Sequence, residues 1–221
     1  MKKNKFKIVL SILTCILIAV VIIILVTYKN KTVYYASAMY LFDTSTPEKA
    51  IGISDYVFVC KINKILRTEY KYPIEIEISL EETAIVTTPY TIYSIDVIKN
   101  IKGNLDTSKS IEFMQYGGMN EDGKSYMFLE EGSYLLEKGG YYILMADTWL
   151  GDGGIIEASE PNRIIALGKN FDITAENGLE IVSKYEEAYK NEIVPSTKNG
   201  DIVDKINHIS KYDVSYISDR D

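Results

Sequence analysis

The chain has 221 residues but only one histidine, one tryptophan, five prolines and two cysteines. A single histidine, His208, excludes multi-histidine zinc sites and paired-histidine phosphoryl-transfer centres. No glycine-rich phosphate loop or nucleophile elbow occurs, and there is no internal repeat or low-complexity tract. Base is also scarce. The formal charge is −7, and the four bases before residue 28 (Lys2, Lys3, Lys5, Lys7) face no acid, so the remainder stands at −11. Phosphate backbones are bound by basic surfaces, so nucleic acid is excluded as a partner.

What the chain does have is a long uncharged run. Residues 8–27, IVLSILTCILIAVVIIILVT, contain fifteen Ile, Leu or Val among twenty. A helix of that length covers about 30 Å, the hydrocarbon thickness of a bilayer, and each aliphatic residue favours insertion by roughly 0.4 kcal/mol. The run is expected to be an uncleaved transmembrane signal-anchor contacting membrane lipid, with residues 1–7 in the cytoplasm by the positive-inside rule and everything after it outside the cell. Two rivals are a signal peptide cleaved after Ala38 and a lipoprotein signal at Cys15. The first needs a shorter apolar stretch with its cleavage site close behind, and the second needs small residues before the cysteine where Leu13 and Thr14 stand. Cys15 then lies in the anchor and Cys60 beyond it, so no disulfide joins them. Abundant Ile, Lys, Asn and Tyr point to an AT-rich genome and a Gram-positive source.

Residues 28–53 read as a juxtamembrane stalk with a short helical or irregular stretch. From Tyr56 the pattern becomes β. Tyr56 to Ile62 is a continuous apolar run, expected as a central strand. Residues 74–81 alternate apolar and polar without a break, the mark of a strand with one buried face, and Pro73 and Pro89 set them apart as an excursion from the main sheet. Tyr90 to Ile98 forms another long strand with Thr91, Tyr93, Ile95 and Val97 on one face. Asn100 to Asn104 turns on Gly103, Ser110 to Gln115 returns, and Tyr141 to Ala146, Ile155 to Ala158 and Ile164 to Leu167 complete the set. Many short strands joined by glycine-rich turns predict an antiparallel barrel or sandwich over 54–168. An amphipathic helix, capped by Asp172 or Thr174 and running to about Lys190, is expected to pack on it through Leu179, Val182, Tyr185 and Tyr189 in a helical region 172–221, with a short second helix over 200–211. The fold class is thus mainly β (α+β).

No catalytic, cofactor-binding or metal site is expected. Asn120, Asp122 and Gly123 imitate three positions of a calcium loop, but the opening carboxylate and the closing bidentate glutamate are missing, so a hairpin turn is expected there. Asp147 and Asp152 flank a glycine-rich loop containing Trp149, the arrangement a glycosidase would use to divide acid and base roles. Cys60, in an apolar strand with no cation on its own face, is not a reactive thiol. His208 reads as a surface residue. The eighteen tyrosines fit either a small β core or a stacking surface.

Ser54 to Ile62, Tyr90 to Gly103, Gly117-Gly118 and Leu136 to Leu144 together resemble the strands of bacterial extracytoplasmic domains related to the netrin-like module of tissue inhibitors of metalloproteinases. The resemblance covers roughly residues 52–167 and implies a five-stranded OB-like barrel with 73–89 as an insertion. The whole chain, including Glu157-Ala158-Ser159-Glu160-Pro161-Asn162, looks like small single-anchor Gram-positive membrane proteins of no established activity. Inhibitor members engage proteases through an amino-terminal cysteine region that this chain does not have. Some similar proteins carry a cardiolipin synthase label, but that chemistry uses two His-x-Lys motifs, and His208 is followed by Lys only at Lys211.

The reading is therefore a non-enzymatic, membrane-anchored binding module offering the loops Gly117–Ser125 and Thr148–Gly154 to an envelope protein or glycan. Asn120, Asp122, Asp147, Trp149 and Asp152 are the candidate contacts, and the acidity favours a neutral or cationic ligand. Its rivals are an envelope hydrolase built on Asp147 and Asp152 and a structural subunit of a membrane complex.

Overall fold

A computed structural model describes residues 12–20, 31–36, 42–79, 82–149, 153–195 and 209–216. The described part is mainly β. Its elements are α1 (residues 12–20), β1 (Thr32–Tyr35), α2 (Pro47–Ile53), β2 (Tyr56–Ser79), β3 (Glu82–Lys102), β4 (Ile111–Tyr116), β5 (Gly118–Met119), β6 (Ser125–Phe128), β7 (Tyr141–Trp149), β8 (Ile155–Glu157), β9 (Ile164–Gly168) and α3 (Glu176–Lys190). No helix among the described residues is long and apolar enough to cross a membrane. The flanks of the 8–27 run, residues 8–11 and 21–27, lie outside the described residues, as do His208 and most of the 200–211 stretch.

The main sheet closes on itself. Strand β2 pairs with β3, β3 with β4, β4 in parallel with β8, β8 with β7, and β7 back with β2; β9 adds outside β7. Alternate residues therefore point into the ring or out of it. Phe58, Cys60, Ile62, Tyr93, Ile95, Phe113, Tyr142, Leu144 and Ile156 fill the interior. The outward residues Val57, Val59, Ile143 and Met145 meet Ala50 and Ile51 of α2 and Val182, Tyr185 and Ala188 of α3. With both faces covered, β2 and β7 read as unbroken apolar runs.

Three expectations change. The 28–53 stretch holds the short helix expected of it, α2, but this helix is packed into the body, burying Ala50, Ile51, Gly52 and Ile53, and exposed β1 pairs in parallel with β6. The helix α2 starts where it does because Thr46 caps it and Pro47 follows the cap. Gly52 is required by close approach, since a Cβ there would sit 2.0 Å from the Ile193 carbonyl oxygen. The α3 N-cap is Ala175, without a side-chain bond; the Asp172 carboxylate turns instead to Thr174, accepting from its N–H at 2.8 Å and its hydroxyl at 2.7 Å. The inward face of α3 is Gly178, Val182, Tyr185 and Ala188, leaving Leu179 exposed. Gly178 sets this face, because its missing side chain admits the Asp172 carbonyl to within 2.0 Å of the Cβ position.

The third change concerns residues 74–81. The excursion exists: β2 and β3 run on together past the ring as a two-stranded arm, from Glu69↔Tyr90 to Ser79↔Glu82. At about 3.3 Å per residue the arm extends roughly 30 Å. Its alternation does not mark a buried face, because Ile74, Ile76, Ile85 and Val86 are all exposed. Within the arm both register shifts leave the extra residue on β2, and Tyr72 takes a positive φ of 53° at one of them. Such bulges bend and twist the strand that carries them.

Candidate functional site

The loop Gly117–Ser125 is a hairpin turn. The Asp122 carboxylate accepts from the N–H groups of Lys124 (2.7 Å) and Ser125 (2.9 Å) and from the Ser125 hydroxyl (2.7 Å), and these bonds, the hydroxyl's first, hold its pKa below the ordinary range. Asn120 donates from Nδ2 to Ser125 Oγ at 2.9 Å. Both candidate contacts are thus spent on the turn itself. The hairpin leans on the arm: Tyr70 donates to the Met119 carbonyl at 3.2 Å, and Thr87 donates to Glu121 at 2.7 Å. The opening glycine is enforced, because a Cβ on Gly118 would meet Thr91 Oγ1 at 2.5 Å and φ there is +153°.

Asp147 belongs to a different group. Its carboxylate pairs with Arg163 at 2.8 Å. The arginine is 4% exposed and also pairs with Glu160 at 3.0 Å, while its Nη2 donates to Ser54 Oγ at 3.0 Å. Ser54 in turn donates to the Ala50 carbonyl at 2.7 Å, and Asp55 accepts from the Thr148 N–H at 2.9 Å. Burial alone would lower the arginine pKa, but Asp147 and Glu160 outweigh it and raise it, so the charge is permanent. One guanidinium thereby ties the end of α2, strand β7 and the turn before β9 together.

Glu157 sits directly across from Asp147 in the β7–β8 ladder. Burial pushes its carboxyl up to about 7, and its hydrogen bond from Ser159 (2.8 Å) opposes that only in part. Ser159 Oγ also accepts the Tyr116 N–H at 3.0 Å. Of the remaining candidates, Trp149 closes β7 in register with Ile155, and Asp152 lies outside the described residues. Among the described residues no group of three or more His, Cys, Asp and Glu side chains is placed to hold a metal ion. Cys60 is fully buried, and burial raises its thiol pKa far above the ordinary value, so the thiolate does not form.

Sequence reasoning missed two features. Arg163 is one; its signal was an arginine between Pro161-Asn162 and the apolar Ile164-Ile165, a charge opening a buried strand. The other is a line of tyrosines. Tyr72 meets Tyr90 edge-on at 6.0 Å and Tyr90 meets Tyr116 at 5.4 Å, over an outer patch of Ile92, Met114 and Ile155 that Tyr212 also contacts.

No family model matches the chain, and no curated protein matches it. Ser54, Asp147 and Glu160 meet around Arg163 as a brace for the fold.

Proposed function

We propose that the protein is a non-enzymatic binding module held at the outer face of a cell membrane by residues 8–27, with an OB-like, netrin-related barrel as its body. The observation that carries the anchor is that α1 is helical and exposed along every described residue, although it is almost wholly aliphatic. A helix that is apolar all round is stable when lipid or protein surrounds it. The ring order, with its one parallel pair between β4 and β8, supports the OB-like reading, and such barrels bind across a strand face and its adjoining loops. Exposed Tyr72 and half-buried Tyr116, with buried Tyr90 between them, lie beside the Gly117–Ser125 hairpin and are the surface that fits that use. Tyrosines offer flat apolar area with a wet hydroxyl, suited to a glycan or an envelope protein. A hydrolase would need the Asp147 carboxylate free to meet substrate, whereas it is paired with Arg163 at 2.8 Å.

The test is topology and capture together. A carboxy-terminal epitope on the full-length protein in intact protoplasts should be removed by added protease. Partners recovered in mild detergent should be lost in Tyr72→Ser while the melting temperature holds. An epitope cleaved only after permeabilisation would overturn the anchor orientation. Capture indifferent to Tyr72 would overturn the binding surface.

A further inference from the structure

Among the described residues nothing covers the aliphatic side of the arm. Cross-strand neighbours share a face, so Ile74 with Val86 and Ile76 with Ala84 make that side, while Glu75 with Ile85 and Glu77 with Thr83 make the opposite one. Ile74, Ile76 and Val86 are all exposed. What meets them follows from where the arm points and where the chain enters the body.

The two directions coincide. The hairpin Gly117–Ser125 runs out beside the arm: Gly118 lies against Thr68 and Thr91, Met119 accepts from Tyr70, and Glu121 accepts from Thr87, each contact further toward the tip. Strand β6 then returns from Ser125 toward the ring, and β1 runs parallel to it from Thr32↔Ser125 to Tyr35↔Phe128. Thr32 is therefore the tip-side end of β1, and the chain enters that strand from the side to which the arm projects. Thr27, the last residue of the apolar run, stands five residues before Thr32, so the chain between them spans at most about 18 Å. From Thr87, beside the hairpin turn, to Glu82 is again five residues, about 17 Å of strand. With residues 8–27 in a bilayer, the anchor reading on which this inference rests, the outer part of the arm is brought to the lipid surface.

The chemistry fits a shallow position there. Open strand edges are not tolerated in hydrocarbon, and beyond Pro89 neither outer edge of the arm pairs with a described strand. From Tyr72 to Ile95 the sequence carries four glutamates and no base, and carboxylates do not enter the bilayer core. Glu75 and Glu77 face water when the aliphatic side faces lipid. The arm needs little affinity of its own, because the anchor makes the contact intramolecular.

We propose that the side of the arm formed by Ile74, Ile76, Ala84 and Val86 rests on the bilayer that holds the anchor. The arm lies at the headgroup boundary as an amphipathic helix would, apolar face down and glutamates outward.

Bromine on lipid acyl chains quenches a tryptophan that touches it, and Trp149 is the only native one, so a second tryptophan can be read as the difference from the wild type. Full-length protein is reconstituted into phosphatidylcholine bilayers brominated near the headgroup end of the chains, or deeper. The tryptophan added by Ile76→Trp or Val86→Trp should lose about half of its emission or more to the shallow bromines, and that of Glu77→Trp less than about a tenth. Ile18→Trp, within the apolar run, should be quenched by the deep ones. Melting temperatures report folding, and arm probes on two strands keep the test decisive if one variant unfolds. Unquenched arm probes beside a quenched Ile18→Trp would overturn the contact and leave the anchor standing; an unquenched Ile18→Trp would overturn both. Arm probes shielded from aqueous acrylamide yet untouched by bromine would put protein on that side in place of lipid. Glu77→Trp quenched as strongly as Ile76→Trp would overturn the choice of face.

Discussion

The same two strands build the best-buried and the most exposed parts of this protein. Ile62 and Ile76 are fourteen residues apart in β2, yet the first is 0% exposed and the second 43%. Local pattern does not separate them, since both stand in strongly β-forming sequence. What differs is the neighbours: near Ile62, β2 still lies against the ring, whereas Ile76 has only β3 beside it. A strand is a backbone state that two chains can sustain by hydrogen bonding, but burial needs a layer on top of the sheet. The body supplies that layer from α2, α3 and the facing strands, and among the described residues nothing lays one over Ile74 and Ile76.

Substitutions can put sizes on this contrast. The largest effect is expected at Ile62→Ala, which opens a cavity in the ring and should cost about 2–5 kcal/mol in chemical denaturation. Next comes Arg163→Met, which leaves Asp147 and Glu160 without their shared cation and takes from the Ser54 hydroxyl the bond that it accepts. Breaking a buried pair typically costs about 3–5 kcal/mol, and the partial exposure of Asp147 places this variant at or below the lower end. Either loss falling under about 0.5 kcal/mol, the range of ordinary surface changes, would mean that the body is not held as described.

Glu157 gives a smaller effect with a definite sign. Its carboxyl titrates at about 7 in the folded chain against 4.5 ordinarily, so the folded state holds the proton more tightly than the unfolded state does. The associated stability is full below about pH 4.5 and is lost as pH rises through about 7. Glu157→Gln keeps an acceptor for Ser159 and removes the ionisation. It should be roughly 1–3 kcal/mol more stable than the wild type at pH 8 and nearly equal to it at pH 4. An equal gain at both pH values would show that the carboxyl is ordinary. The smallest effect is expected in the arm, where Ile76→Ala should change stability by less than about 1 kcal/mol because Ile76 is exposed. A loss as large as that of Ile62→Ala would erase the distinction between the two regions.

Much of the β framework was legible in the sequence because period-two alternation and unbroken apolar runs are local properties. The strands at 56–62, 90–98, 110–115, 141–146, 155–158 and 164–167 were all readable in this way, and Gly103, with φ of +80°, turns where expected. The alternation at 74–79 was equally legible as strand and misleading as burial, since a pattern states which side chains share a face and not what covers it. The face of α3 was misjudged for a related reason. Leu179 is the more apolar residue, but the glycine at 178 lets the backbone approach, and shape outweighed hydrophobicity.

The candidate site was the least legible part. Asn120 and Asp122 were correctly placed in a turn, and their bonds inside it are short-range and so implicit in the spacing. Asp147 looked like one of a pair across a loop, whereas its partner is Arg163, sixteen residues on and reached only after the chain has formed β8 and turned back. Nor does any local signal bring Ser54 to that arginine.

The sequence by itself determined the backbone states, the excess of acid over base beyond the apolar run, and the apolar run itself, because each is the sum of what neighbouring residues do. Only the tertiary structure decided which apolar faces are covered, which acids share Arg163, and that one sheet both closes a ring and sends out an uncovered arm. Those are matters of contact between distant segments, and no window along the chain contains them.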